Sequence, residues 1–567
     1  MNQKQIIECV PNFSEGRDLK IINQIVEVIE SVEGVKLIDV DSGKSTNRTV
    51  VTFVGEPEPV CEAAFLVAKK AMELIDMTKH KGEHPRFGAL DVCPLVPVAN
   101  ITMEETVEYA RKLAQKIGEE LQYPVYCYEY AAFIPERKNL SYVRSGEYEA
   151  LPEKLKKTEW KPDFGPAVFV PKTGATAVGA RNFLIAYNIN LNTTSTRRAN
   201  AIAFDVREKG RPVREGNPIT GPIKKDENGK EIWQPGTLKA VKGIGWYIEE
   251  YGIAQVSLNL TDINVTPLHI AFEEVCKKAE ERGVRVTGSE IVGVVPLKAM
   301  LDAGKYFLKK QKRSLGIPDE EIVRIAIKSL GLNELYPFDP KKKIIEYILA
   351  EEEEKNAKKK LVNMSLKDFV IETASESPAP GGGSISAAMG SMGAALATMV
   401  ANLSSHKPGW DDKWEEFSQW AEKAKYYYTE LLKLIDEDTN AFNKIMEAYG
   451  LPKNTDEEKK FRHQKIQEAT KYAIEVPFKV MNLAYESMEV IQAMAEIGNP
   501  NSVSDAGVGA IAARGCVMGA YLNVKINSSG LDDINYVNYV LEEGAKIQEK
   551  AIQKEKEILE IVNSKIK

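Results

Sequence analysis

Residues 36–75 read KLIDVDSGKSTNRTVVTFVGEPEPVCEAAFLVAKKAMELI. Two β-branched runs, KLIDVDSG and RTVVTFVG, precede a Pro-led stretch whose apolar residues recur at helical spacing. That succession predicts two strands and a helix, the unit of an α/β fold. The alternation continues outward: KHKGEHPRFGALDVCPLVPV (79–98) ends as a strand, and ETVEYARKLAQKIGEEL (105–121) has helical periodicity. A Pro/Gly-rich stretch, WKPDFGPAVFVPKTGATAVGARNF, interrupts it before NFLIAYNINL restarts a strand pattern, placing a subdomain boundary near 182. The aperiodic segment EKGRPVREGNPITGPIKKDENGKEIW reads as an exposed loop.

Past the charged run EEEEKNAKKK (351–360), strand signals vanish and long helical patterns take over. The expected architecture is therefore multidomain: two α/β subdomains, 1–181 and 182–335, a linker over 336–362, and an all-α helical bundle over 363–567. The length of 567 residues agrees, because a single hydrophobic core stops growing well below that size. The run SISAAMGSMGAALATMVANL (384–403) approaches membrane length, but Ala, Gly and Ser dominate it, so a buried close-packed helix is expected and no membrane span. A net charge of −7 gives no electrostatic reason to expect nucleic acid. Six cysteines without a CxxC pair indicate neither a disulfide framework nor a zinc knuckle, and a reducing cytoplasm fits them. The N-terminus has no apolar core of the kind a secretory signal carries.

Four local patterns can carry chemistry. His80 and His84 are four apart, a spacing that suits a metal only on a helix; Gly82 and Pro85 break that geometry, leaving a catalytic His84 on a loop or a structural histidine bonded to backbone. Asp39 and Asp41 share one strand face, where Asp41 either orients an imidazole or caps the turn. Gly381, Gly382 and Gly383 precede a helix, where exposed amides bind anions or where small residues simply pack closely. Asp436 and Asp438 diverge by roughly 200° on a helix, so that one carboxylate can enter an apolar interior with a raised pKa, or both can lie on solvated surface. Ser504 or Asp505 is placed to cap a later helix.

Taken in order, ECVPNFSEGRD, LIDVDSGKSTNRTVVTFVG, IDMTKHKGEHPRFGALDVCPLVPV, GEYEALPEKLKKTEWKPDFGP, IGWYIEE, AQVSLNLTD, SPAPGGGSISA, MGAALATMV, LIDEDTNAF and VSDAGVGAIAA resemble the formimidoyltransferase-cyclodeaminase family over essentially the whole chain. The family consists of bifunctional folate enzymes of histidine breakdown. The resemblance implies that His84 is the transferase's general base rather than a metal ligand, with Asp41 as its orienter. It implies a folate-contacting segment of Gly165, Pro166, Ala167, Val168, Phe169, Val170, Pro171, Lys172, Thr173 and Gly174, varied at Lys172 and Thr173. In the helical half it implies Asp438 as the cyclodeaminase carboxylate beside Gly381, Gly382, Gly383 and Ser384, where the family more often reads Gly-Ala-Gly.

The activities implied are transfer of the formimidoyl group from N-formimidoyl-L-glutamate to tetrahydrofolate, then cyclisation to 5,10-methenyltetrahydrofolate with loss of ammonia. Tetrahydrofolate, in polyglutamylated form, is expected as co-substrate, with no metal and a ring-like homo-oligomer. The alternative is a glutamate formyltransferase using N-formylglutamate, its helical domain serving only for oligomerisation.

Overall fold

The computed structural model describes residues 4–43, 47–82, 86–217, 221–356 and 360–566. They fall into two compact units, Met1–Ala303 with Ile327–Glu352, and Gly304–Ala326 with Glu353–Lys567.

The first unit opens on a strand that Pro11 breaks in two, β1 (Ile6–Cys9) and β2 (Asn12–Phe13), because proline cannot donate to a ladder. Helix Leu19–Glu30 follows, its Asp18 cap accepting from Lys20 N and its Ile22, Ile25, Val26 and Ile29 forming one buried face. Then come β3 (Val35–Gly43), β4 (Arg48–Gly55), helix Pro57–Leu74 and β5 (Leu90–Ala99). In space these strands run β3, β4, β1/β2, β5, antiparallel throughout. Helix Met103–Glu120, started by a Thr102/Glu105 capping box, leads to β6 (Val125–Glu129), and β7 (Thr176–Ala180) inserts between β5 and β6, parallel to both. The helices bury one sheet face, with Phe53, Ala64, Ala68, Cys93 and Ala114 in its core. Tyr126, Trp160 and Leu151 cover part of the other.

The second subdomain repeats that order. Strand Ile185–Leu191, helix Thr196–Val206, strands Val241–Ile248 and Ile253–Leu260, helix Leu268–Glu280 and strand Val286–Val292 form an antiparallel sheet in which the first strand lies between the third and fourth. This is the ferredoxin-like β-α-β-β-α-β order, and β1 to β5 with their two helices follow it too. The α/β half is thus a structural duplication extended at one edge by β7 and β6. The described residues of 208–233, expected as a loop, instead form a thin arm: Arg211–Pro212 pairs with Trp233–Gln234, and bridges join Arg214 to Ile223 and Lys225 to Glu231. Residues 340–352 begin with short helices, and Val295 bridges to Ile344 in the first unit.

The second unit is all-α. Five long helices among the described residues, Gly382–Ser405, Trp414–Tyr449, Asp456–Ile497, Val503–Ser528 and Ile534–Lys565, enclose a core rich in alanine. The first and fourth are long and apolar enough to cross a membrane by length and composition, yet 67% and 50% of their apolar windows are buried in the bundle. Small residues explain the packing: a Cβ on Gly393 would lie 2.9 Å from Gly509 O, so the two backbones touch. Residues 304–326 pack into this unit, where Leu315 N donates to Ser418 Oγ at 2.9 Å and Lys425 Nζ to Ile317 O at 2.6 Å.

Replacing Gly393 by leucine is expected to wedge those helices apart and cost roughly 2–3 kcal/mol, read as a lowered urea midpoint of the full-length chain.

Candidate active sites

The antiparallel register sets Asp41 opposite Val50, Val50 opposite Asn12, and Asn12 opposite Val92. Directly paired residues share a sheet face, so Asp41, Asn12 and, two along from Val50, Arg48 look the same way. The Pro11 break turns Asn12 so that its Nδ2 donates to Val10 O at 2.8 Å while its Oδ1 accepts from Arg48 Nη2 at 2.6 Å. Arg48 Nη2 also lies 3.5 Å from Asp91 Oδ2. Asp91, 1% exposed, is ion-paired a second time by Arg144 Nη2. Asp41 itself is exposed on its edge strand.

Asn47, just before β4, ties three segments together. Its Oδ1 accepts from Gly16 N at 3.0 Å, its Nδ2 donates to Lys81 O at 3.1 Å, and its carbonyl accepts from His80 Nε2 at 2.7 Å. His80 is thereby a structural histidine: burial lowers its pKa, so the ring is held neutral with its proton on Nε2. His84, with Glu83 and Pro85, lies outside the described residues. Its flanks are placed. Lys81 O is held by Asn47, and Arg86 pairs with Glu149 while lying 5.6 Å over the Tyr148 ring.

The 165–174 loop docks against the same segment. Met77 N donates to Lys172 O at 2.9 Å, Ala89 N to Thr173 O at 2.8 Å, and Gly88 bridges to Gly174. The buried Tyr123 hydroxyl lies 3.0 Å from Thr173 O and 3.2 Å from Leu90 O. Gly165 and Gly174 take φ of +79° and +73°, and a Cβ on Gly165 would sit 2.1 Å from Tyr123 O. Val168 is 62% exposed, with Ala167, Pro171 and Lys172 also open, whereas Thr173 and Gly174 are buried. Lys172 Nζ turns away to Glu73 O, and Phe169 packs 5.5 Å from Tyr148. The structure thus brings the flanks of His84 and the 165–174 loop together, while Asp41 is placed only by its register, on the sheet face of Asn12 and Arg48. Sequence reading missed Asn12, Asn47, Arg48, Asp91 and Arg144. The available signals were a proline-broken strand before Asn12 and a lone charge in the apolar run LDVCPLVPV.

In the helical unit, helix Gly382–Ser405 starts without a side-chain cap of its own at Gly381. Asp438 supplies one from the neighbouring helix: its Oδ2 accepts from Ser384 N at 2.8 Å and Ser384 Oγ at 3.1 Å. A Cβ on Gly383 would lie 2.0 Å from Asp438 Oδ1, so glycine there is what admits the carboxylate. Gly382 is exposed, and a Cβ on it would meet the Asn523 amide at 3.4 Å. Burial raises the Asp438 pKa, and the two Ser384 bonds oppose that rise without cancelling it. Asp436 points elsewhere, accepting from Leu361 N at 2.6 Å. Ser504 and Asp505, expected as caps, lie inside the first turn of a helix that begins at Val503 after Ser502, because the preceding Pro500–Ser502 turn already starts the helical path. Among the described residues no three His, Cys, Asp or Glu side chains form a metal-holding group.

Family models match the chain in three successive pieces: the formiminotransferase domain, N-terminal subdomain, over 6–181; the formiminotransferase domain over 186–350; and formiminotransferase-cyclodeaminase over 365–546. Formimidoyltransferase-cyclodeaminase of Mus musculus is 46% identical over 529 residues, 93% of either chain. Glutamate formimidoyltransferase of Streptococcus pyogenes is 42% identical over 305 residues, 54% of this chain and 94% of that one. Methenyltetrahydrofolate cyclohydrolase of Methylorubrum extorquens is 40% identical over 204 residues, 36% of this chain and 98% of that one.

Two stability measurements test the Asp438 geometry. Gly383→Ala forces the carboxylate from its cap and is expected to cost about 1–3 kcal/mol in thermal or urea unfolding. For Asp438 the sign is that of a raised folded-state pKa: its contribution is present below the unfolded-state pKa and lost as pH rises through the folded one. Asp438→Asn is therefore expected to gain on the wild type in urea midpoint as pH rises from about 4 to about 8.

Proposed function

The chain belongs to the formimidoyltransferase-cyclodeaminase family, and from that premise we propose how its residues divide the work. The activity itself is bifunctional: the formimidoyl group passes from N-formimidoyl-L-glutamate to tetrahydrofolate, and the product is cyclised to 5,10-methenyltetrahydrofolate with release of ammonia. Tetrahydrofolate is a substrate, and the partners are small molecules, a glutamate derivative and folate.

In the transferase, the working unit is the α/β half, Met1–Ala303 with Ile327–Glu352. The N-5 amine of tetrahydrofolate attacks the amidine carbon, His84 takes the proton from N-5, and the same imidazolium returns it to the glutamate nitrogen as the C–N bond breaks. A histidine suits both moves because its unperturbed pKa lies near neutrality. Asp41 stabilises the imidazolium and holds its ring; the register that sets Asp41 on the face of Arg48 and Asn12 supports this. The open side chains of the 165–174 loop face the folate. Arg86, a ready candidate for the folate carboxylates by sequence position, is engaged by Glu149, so it braces the loop against Tyr148 instead.

In the cyclodeaminase bundle, N-10 closes on the carbon of the protonated amidine, Asp438 carries the N-10 proton to the departing amino nitrogen, and ammonia leaves to give the cationic methenyl product. The observation that carries this reading is the Asp438 carboxylate at the glycine-opened helix start, its pKa raised by burial. Each proton in both reactions moves on a side chain, so the scheme uses no metal. Polyglutamylated folate is the preferred form, since a tethered tail raises the local concentration of the intermediate at the second site. The chain works in the cytoplasm as a ring-like homo-oligomer; apolar side chains left open on the bundle, Ile526 at 70% and Leu522 at 63% exposure, support such an assembly.

Ammonia, glutamate and methenyltetrahydrofolate followed together on the full-length chain test this division. His84→Ala or Asp41→Asn is expected to slow glutamate release at least about 100-fold while supplied 5-formimidoyltetrahydrofolate is still converted. Asp438→Asn is expected to do the reverse, leaving the formimidoyl intermediate to accumulate. Unchanged ammonia release from the Asp438 variant would remove its assignment.

A further inference from the structure

Resting on that division of work, we infer that Arg144 binds the α-carboxylate of the formimidoyl-glutamate donor, in a pocket whose floor is the buried Asp91 and whose far wall is Arg48. The donor's chemistry requires such a group. The amino nitrogen that carries the formimidoyl group and the α-carboxylate sit on one carbon, so a cation for that carboxylate must lie beside the reacting atoms. The carboxylates of a folate tail, by contrast, lie across a whole aminobenzoyl group from N-5 and call for a cation at the rim.

Arg144 meets the first requirement. Its side chain is 15% exposed and its Nη2 pairs with Asp91, which leaves the rest of the guanidinium fork for a planar anion. Asp91 ties it to Arg48, which Asn12 holds on the Asp41 face of the sheet. Glu147 N donates to Arg144 O and Tyr148 N to Arg86 O, so the same turn runs along the segment that leads out of His84. Asp91 thus links Arg144 to the Arg48–Asn12 cluster on the Asp41 face, and the turn that carries Arg144 is bonded to Arg86, the first described residue after His84.

The arrangement is also rigid. Lys154 Nζ donates to Val143 O at 2.9 Å and Ser145 O at 2.7 Å, clamping the backbone on both sides of Arg144, and lies 3.7 Å over the Trp160 ring. Neighbouring cations are taken up elsewhere: Arg86 by Glu149, Arg137 by Asp163, Lys172 by Glu73 O.

The test compares glutamate-donor kinetics on the full-length chain with N-formimidoyl-glutamate and with N-formimidoyl-4-aminobutyrate, the same donor with hydrogen in place of the α-carboxylate. The wild type is expected to favour the glutamate donor roughly 10- to 100-fold in kcat/KM. Arg144→Leu is expected to erase that preference through a raised KM for formimidoyl-glutamate, with the KM for tetrahydrofolate close to wild type. Arg144→Lys, which keeps the charge but not the fork, is expected to fall between. A wild type indifferent to the α-carboxylate, variants that keep the preference, or a KM rise confined to tetrahydrofolate would each overturn the inference. If the leucine variant does not fold, the lysine variant and the wild-type donor comparison still decide. Failure of the division of work looks different: a wild type that transfers from neither donor, or a His84→Ala chain that still does.

Discussion

A carboxylate sealed beneath a sheet must be neutralised where it stands, and much of the first subdomain is arranged around doing that for Asp91. The charge sits on β5, the strand that joins the antiparallel part of the sheet to its parallel extension. Among the described residues its ion-pair partners are Arg48 from β4 and Arg144 from the turn before Gly146. Removing one partner of such a buried set typically costs about 3–5 kcal/mol, far more than an exposed pair is worth. The cluster therefore fixes where β4, β5 and that turn meet.

The helical unit solves the opposite problem. Its core is alanine and glycine, so its helices approach until backbones touch, and a polar group enters only where a side chain is missing. Gly383 is such an absence, and Asp438 fills it. The carboxylate replaces the missing cap, and its burial raises its pKa. Of the three consecutive glycines, Gly383 is the one this packing requires.

Much of this was legible from residues alone. Strand and helix patterns around 36–75 and past 360 announced the two classes of architecture, and the GEHPR, DVDSG and LIDEDTNAF motifs named His84, Asp41 and Asp438 through resemblance. The duplication of the ferredoxin-like order was not legible, because topology is conserved by pairing partners and not by side chains. The 208–233 arm hid for a related reason: both its faces are solvated, so its pairing leaves no apolar alternation. Arg48, Asp91 and Arg144 are far apart in the chain and individually ordinary. Only their burial makes them a group. His80 shows the converse, a residue whose role as a backbone staple its spacing from His84 left open.

The division of the chain into units carries a consequence for its manufacture. Residues 304–326 belong with the bundle although they are made before residues 327–352, which complete the first unit. As the polypeptide leaves the ribosome, Leu315 and Gly316 emerge about a hundred residues ahead of Ser418 and Ala421, against which they finally rest. The α/β half can therefore close before the 304–326 segment meets its partners, and in that interval the apolar side chains of the segment lack the bundle they finally pack against.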